Sequence, residues 1–158
     1  MGFLDKEIDK KLFIQILIVM IVLVIVYLAF VMSSFLFVKP YKLGANTSID
    51  DQNINTHIDV LEHDGKKLEI AGWAFKENEP VGVVKCNYVI KNTETNKMYL
   101  MKTKMEENIN ISEEDHKMAG IHAQCLLFGV PHGRYDIYVL YQNDDEDILK
   151  YTLIYVDI

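Results

Sequence analysis

The sequence predicts an all-β domain, an antiparallel β-sandwich of about seven strands, carried on one N-terminal transmembrane α-helix. Three observations predict it. Residues 12–38 form one apolar block without a charged side chain. From Thr56 onward apolar and polar residues alternate at period two. Turn-forming residues interrupt that alternation about every ten residues, which is the spacing of a sandwich and not of βαβ units.

The apolar block is read first. About twenty apolar residues suffice to cross the hydrocarbon core at about 1.5 Å per helical residue. Val and Ile dominate the block and favour strand in water, but in lipid the backbone must satisfy its own hydrogen bonds, so helix is expected. A cleaved signal peptide has an apolar region of about 7–15 residues and a small-x-small site after it; this block is longer and no such site follows. The sequence therefore divides into a short cytoplasmic tail (1–11), a transmembrane helix (12–38), a juxtamembrane linker (39–55) and an extracytoplasmic domain (56–158). Lys6, Lys10 and Lys11 precede the span, against Lys39 and Lys42 after it. That bias places the N-terminus in the cytoplasm and the domain outside the cell. Gly2 lacks the downstream Ser/Thr of a myristoylation signal. Ala29 and Ser33, with Ser34 adjacent, have the small-residue spacing that lets helices approach; the first reading is an incidental pair in a Val/Ile-rich span, and helix-mediated association is the second.

The domain's strands follow in order. Residues 56–62 alternate through Ile58 and Val60, and Asp64-Gly65 marks a hairpin turn. Residues 67–76 alternate through Leu68 and Ile70; Trp73 and Phe75 then take the other parity, with Gly72 at the slip, which suggests a β-bulge. Residues 82–91 alternate as Val84, Cys86, Tyr88 and Ile90, and residues 98–105 form a weaker strand. Residues 106–119 are irregular and acidic, with Ile109 and Ile111 as core plugs. Residues 120–128, 134–142 and 148–156 complete the set. Tyr135 opens the sixth strand two residues before Ile137, the position of a tyrosine corner, so the sandwich is expected to be Ig-like. Trp73 precedes both cysteines, so the Cys–Trp–Cys order of antibody domains is absent.

Charge excludes some functions. The chain carries −7 overall, and from Ala45 onward 20 Asp and Glu stand against 11 Lys and Arg. Such a domain repels phosphate backbones and anionic headgroups, so no nucleic-acid partner is expected. His57, His63, His116, His122 and His132 lack zinc-ligand spacing. The clusters Asp144, Asp145, Glu146, Asp147 and Glu106, Glu107, Glu113, Glu114, Asp115 lack calcium-loop spacing. No nucleophile elbow, Walker motif or dinucleotide fingerprint is present. No catalytic residue, metal or cofactor is expected. Cys86 and Cys125 fall in register with core neighbours. They are either buried thiols or a disulfide, which would contribute about 4 kcal/mol in the chain-entropy model.

Aromatic residues remain as the candidate binding surface. Tyr138, Tyr151 and Tyr155 lie on alternate positions of the last strands, and Trp73 and Phe75 lie beyond Gly72. Aromatic faces stack on sugar rings and anchor protein interfaces. For Trp73 the core is the first expectation, because its burial contributes heavily to so small a domain, and a surface is the second.

Residues Ile58-Asp59, Leu68-Glu69-Ile70-Ala71-Gly72-Trp73-Ala74-Phe75, Ala119-Gly120-Ile121-His122-Ala123 and Gly133-Arg134-Tyr135-Asp136-Ile137-Tyr138 together carry a resemblance. Over residues 56–158 the chain resembles a small Ig-like β-sandwich domain with a Gly-Trp-Ala-Phe strand, found in Gram-positive bacterial membrane and cell-surface proteins. Where that family has Arg-x-Asp-Val and Gly-Phe, this chain has Lys104-Met105-Glu106-Glu107 and Gly120-Ile121. The resemblance implies no catalytic residues. It implies a non-enzymatic accessory domain that binds a cell-surface glycan or an envelope protein. The alternative is a structural subunit of a membrane complex, docked through its helix.

Overall fold

A computed structural model describes residues 10–49, 53–77, 84–107, 119–144 and 146–158. It is mostly β, with two sheets and one N-terminal apolar helix. The chain divides into two compact units, Met1–Phe35 and Leu36–Ile158.

The first unit is helix α1 (Lys10–Leu36). Its segment Leu12–Ser33 has a mean hydropathy of 3.2 over its most apolar window and is long enough to cross a membrane. Its apolar side chains are exposed on every face, as in a helix that meets a non-aqueous solvent all round. The helix stops at Leu36, two residues short of the expected end. Pro40 lies four residues on, and a proline ring in a continuing helix would strike the Leu36 carbonyl.

The second unit contains ten strands among the described residues: β1 (Lys39–Tyr41), β2 (Thr47–Ile49), β3 (Ile54–His63), β4 (Lys67–Lys76), β5 (Lys85–Asn92), β6 (Met98–Met101), β7 (Lys104–Glu106), β8 (Gly120–Leu126), β9 (Arg134–Gln142) and β10 (Asp147–Asp157). One sheet runs β1-β6-β5-β9-β10-β2 and the other β3-β4-β8-β7. Inward residues of both sheets form one core cluster, including Leu68, Ile70, Tyr88, Ile90, Ile121, Tyr135, Ile137 and Ile148. The Tyr135 hydroxyl donates to the Pro131 carbonyl at 2.8 Å, four residues upstream, as a tyrosine corner requires.

Four sequence expectations are corrected. Residues 39–55 are not a plain linker: they carry β1 and β2, which pair at opposite edges of the six-stranded sheet. The strand set is ten and not seven, and β2 pairs with β10 in parallel, so the sheets are not wholly antiparallel. The weak strand at 98–105 is two strands in different sheets. Chain transfer occurs at Lys102-Thr103, where the Thr103 hydroxyl donates to the Cys86 carbonyl and its amide to Asn87 Oδ1 at 3.4 Å.

The fourth correction concerns Gly72. β4 does not bulge; Leu68, Ile70, Gly72 and Ala74 face the core without a break in phase. The register shift lies across the ladder on β3, where Asp59 is the extra residue between Ile58 and Val60. A Cβ on Gly72 would lie 2.0 Å from the His57 carbonyl oxygen, so the bare backbone here lets β3 approach. The bulge also turns Val60 outward and sends Leu61 to the core. Ile109, Ile111, Pro80, Gly82 and Val83 lie outside the described residues.

The path from β1 to β2 has a structural consequence. Tyr41 ends a strand on one edge and Thr47 begins a strand on the other, so residues 42–46 cross the sheet between them. One face of that sheet is committed to the shared core, so the crossing runs over the opposite face. There Val89, Leu140 and Leu149 are fully buried, with Tyr41, Met98, Leu100 and Tyr138 packed against them. Burial among these neighbours, and to a lesser degree the Asp147 carboxylate, pushes the Tyr41 phenol above its ordinary value.

Candidate binding surfaces

The five aromatic residues singled out in the sequence sit on two different outward faces. On β4 the outward positions are Glu69, Ala71, Trp73 and Phe75. Trp73 is half-buried on this face, not in the core, because it alternates with Gly72 and Ala74. Its ring stacks on Phe75 at 5.4 Å and 24°. On its other side lies His57, its cross-strand partner, at 5.8 Å and 31°. The result is a row of three neighbouring rings, Trp73 stacked on Phe75 and tilted against His57.

Beside this row runs a charged network on the same face. Glu69 accepts from Gln124 Nε2 at 2.7 Å, meets His122 Nε2 at 3.0 Å and pairs with Lys67 at 2.8 Å. Lys67 first, then Gln124 and His122, hold the Glu69 carboxyl down to about 2. The cross-strand register of β4 with β8 places Glu69 opposite Gln124 and two pairs from His122, the next residue of β8 on the same face. His122 Nδ1 also lies 3.6 Å from Glu106 on β7.

On the six-stranded sheet, β9 and β10 bring Tyr138, Tyr151 and Tyr155 together. Tyr138 and Tyr151 are cross-strand partners with ring centroids 5.1 Å apart at 36°. The Tyr151 hydroxyl donates to Asp136 at 3.4 Å. Tyr155 is about half exposed at 52%. The Arg134 guanidinium sits 4.3 Å above its ring and is fixed by Asp157 at 3.0 Å. Between Tyr151 and Tyr155 the ladder is interrupted; Leu153 has φ 63° and stands 81% exposed, and the Thr152 hydroxyl donates to the Ile137 carbonyl at 2.7 Å. The interruption separates the Tyr155–Arg134 group from the Tyr138–Tyr151 pair while keeping all three rings on one patch.

Arg134, Asp136 and Asp157 were not anticipated as members of this surface. Their signal was in the alternation: even positions 134, 136 and 138 share one face of the strand on which Tyr135 and Ile137 point inward.

Cys86 on β5 and Cys125 on β8 both point into the shared core. They are thiols and are not joined as a disulfide. Burial pushes the Cys125 thiol up to about 12. The Ser33 hydroxyl of the small-residue pair donates to the Phe30 carbonyl of its own helix at 2.7 Å. Among the described residues no group of three or more His, Cys, Asp or Glu is placed to hold a metal ion. His116, Glu113, Glu114, Asp115 and Asp145 lie outside the described residues.

No protein-family model matches the chain. No curated protein and no solved structure matches it either.

Proposed function

We propose that the chain is a single-pass membrane protein whose outer domain is a non-enzymatic, glycan-binding accessory module at the cell surface. The observation that carries this reading is the Tyr138–Tyr151–Tyr155 patch with Arg134, Asp136 and Asp157 held around it. Sugar rings present apolar C–H faces and a rim of hydroxyls. The half-exposed Tyr155 ring and the partly buried Tyr138 and Tyr151 rings, beside oriented carboxylates and a guanidinium, offer a partner for each. The Trp73–Phe75–His57 row offers a second aromatic surface on the opposite sheet.

The remaining parts of the reading follow from connectivity. The uncharged segment Leu12–Ser33 of the helix supports a membrane span, and the lysine bias before it supports an outer location for the domain. The two sheets packed on one core, with Tyr135 bonded to Pro131, support an Ig-like sandwich. The Gly72-Trp73-Ala74-Phe75 strand supports kinship with Gram-positive surface domains.

The test is retention of the full chain, reconstituted in lipid nanodiscs, on immobilised cell-envelope polysaccharides. Tyr155→Ala is expected to weaken retention roughly tenfold or more, as for an anchor residue at an interface, with the fold intact by circular dichroism. Retention that is absent for every polysaccharide, with a stoichiometric envelope protein co-purifying instead, would replace the glycan by a protein partner.

A further inference from the structure

A different surface of the outer unit carries its own chemistry. The β8–β9 turn, closed by the Val130 amide on the Leu127 carbonyl at 3.0 Å, holds Phe128 at its tip. Phe128 is 85% exposed, the most exposed large apolar side chain among the described residues. Leu126 beside it is 37% exposed. Neither contributes to the core, and neither belongs to the aromatic patches above.

What lies next to this turn is the chain's exit from α1. Phe37, one residue after the helix ends, makes a parallel bridge with Leu126. Its ring meets the Phe128 ring edge-on at 6.2 Å. Together with Val130 and Ile158 these side chains line an apolar cleft whose charged or titratable side chains are those of Lys66 and His132, with no acidic side chain. In a domain with so large an excess of acid, that corner is set apart.

The depth of Phe37 follows from chain length. The 22-residue segment Leu12–Ser33 spans about 33 Å as a helix, close to the hydrocarbon thickness of about 30 Å. Phe37 comes four residues later and Lys39 is the first charge after the span. Phe37 therefore falls in the interfacial layer, which adds about 5–8 Å on each side of the hydrocarbon. Phe128 is held against Phe37 and shares its depth. Aromatic rings favour this layer, and a neighbouring Lys meets lipid phosphate there.

We propose that the Phe128 turn is a second membrane contact, inserting its ring into the headgroup–acyl boundary of the bilayer that α1 spans. The inference rests on the reading of α1 as a membrane span. It commits to lipid as the occupant because the cleft begins at the residue that leaves the span. A rim whose charged side chain is Lys66, with no Asp or Glu, suits phosphate-bearing headgroups.

The experiment uses the full chain in phosphatidylcholine vesicles, with Phe128→Trp compared with Lys85→Trp. Lys85 is exposed and pairs with Gln142, at the opposite end of the β5–β9 ladder from the turn. Trp73 is common to both variants, so its signal cancels. Alkaline carbonate washing first establishes whether the protein stays in the membrane. With the protein retained, F128W is expected to be blue-shifted and quenched several-fold more than K85W by lipids brominated near the headgroup, and less by lipids brominated deep in the chain. Retained protein with equal quenching of the two variants overturns the insertion and leaves the anchor standing. A blue-shifted F128W that brominated lipid does not quench points to a protein contact, such as a second copy, and also overturns it. Release by carbonate overturns the anchor itself, and the insertion with it.

Discussion

On the four-stranded sheet the outward residues of β4 stay at the surface, half-buried and partnered by one another. On the six-stranded sheet the outward residues Val89, Leu140 and Leu149 are as buried as any core residue. Both sheets give their other face to the same core, so the difference is made outside it. The chain between β1 and β2 crosses the six-stranded sheet and has no counterpart among the described residues of the other. Tyr41, at the end of β1, packs on this second cluster, and so does Tyr138 of the tyrosine patch. The aromatic row on β4 has no apolar cluster beneath it; it is ordered by stacking and by the Glu69 network.

Breaking the covered face should cost most. Leu140→Ala removes a fully buried side chain from the second cluster and is expected to destabilise the domain by about 3 kcal/mol, in the range of large-to-small core changes. Urea unfolding of the outer unit measures it. Phe75→Ala, at an outward position of β4, removes a larger side chain and should still cost clearly less. Comparable losses would mean that the second cluster adds no more stability than the open face of β4.

Gly72→Ala probes the open sheet. The new Cβ would meet the His57 carbonyl and Ile58 backbone, so β3 must move away. A cost of about 2 kcal/mol is expected, as for overpacking against backbone. Loss of amide protection confined to β3 in hydrogen exchange would locate the effect; an unchanged β3 would show that the close approach is dispensable.

The smallest effect concerns pH. The Glu69 carboxyl is held at about 2 in the folded chain, below its ordinary value of 4.5. A depressed folded value contributes stability above the unfolded value, and that contribution is lost as pH falls from about 4.5 toward about 2. Glu69 is at the surface, so solvent and salt screen the effect. Glu69→Gln is expected to lower stability slightly at pH 7, leave it unchanged near pH 2, and so flatten the acid limb of the profile. A variant profile parallel to the wild type at every pH would remove Glu69 from the account.

Much of the fold was legible because period-two alternation reports one buried face. The strands at 67–76 and 134–142 have the expected bounds, and Tyr135 has its upstream carbonyl. Alternation misleads where both faces are buried. Tyr88-Val89-Ile90 and the run from Ile137 to Tyr141 are continuous apolar stretches; Val89, Tyr138 and Leu140 within them belong to the second cluster, a non-local packing that periodicity does not encode. It also misleads at a bulge. The apparent slip at Trp73 was an outward aromatic pair, and the extra residue sat on the neighbouring strand. The candidate surface was half legible: rings are conspicuous in sequence, but the pairing of Arg134 with Tyr155 and of Asp136 with Tyr151 depends on the β9–β10 register.

The central claim is a tethered domain on the outer side of a membrane. Protease added to intact cells producing the chain with a C-terminal tag tests it most directly. The account expects the tag and the outer unit to be removed from intact cells, leaving a membrane-embedded N-terminal fragment that resists carbonate extraction. Full protection in intact cells, with digestion only after lysis, would contradict it.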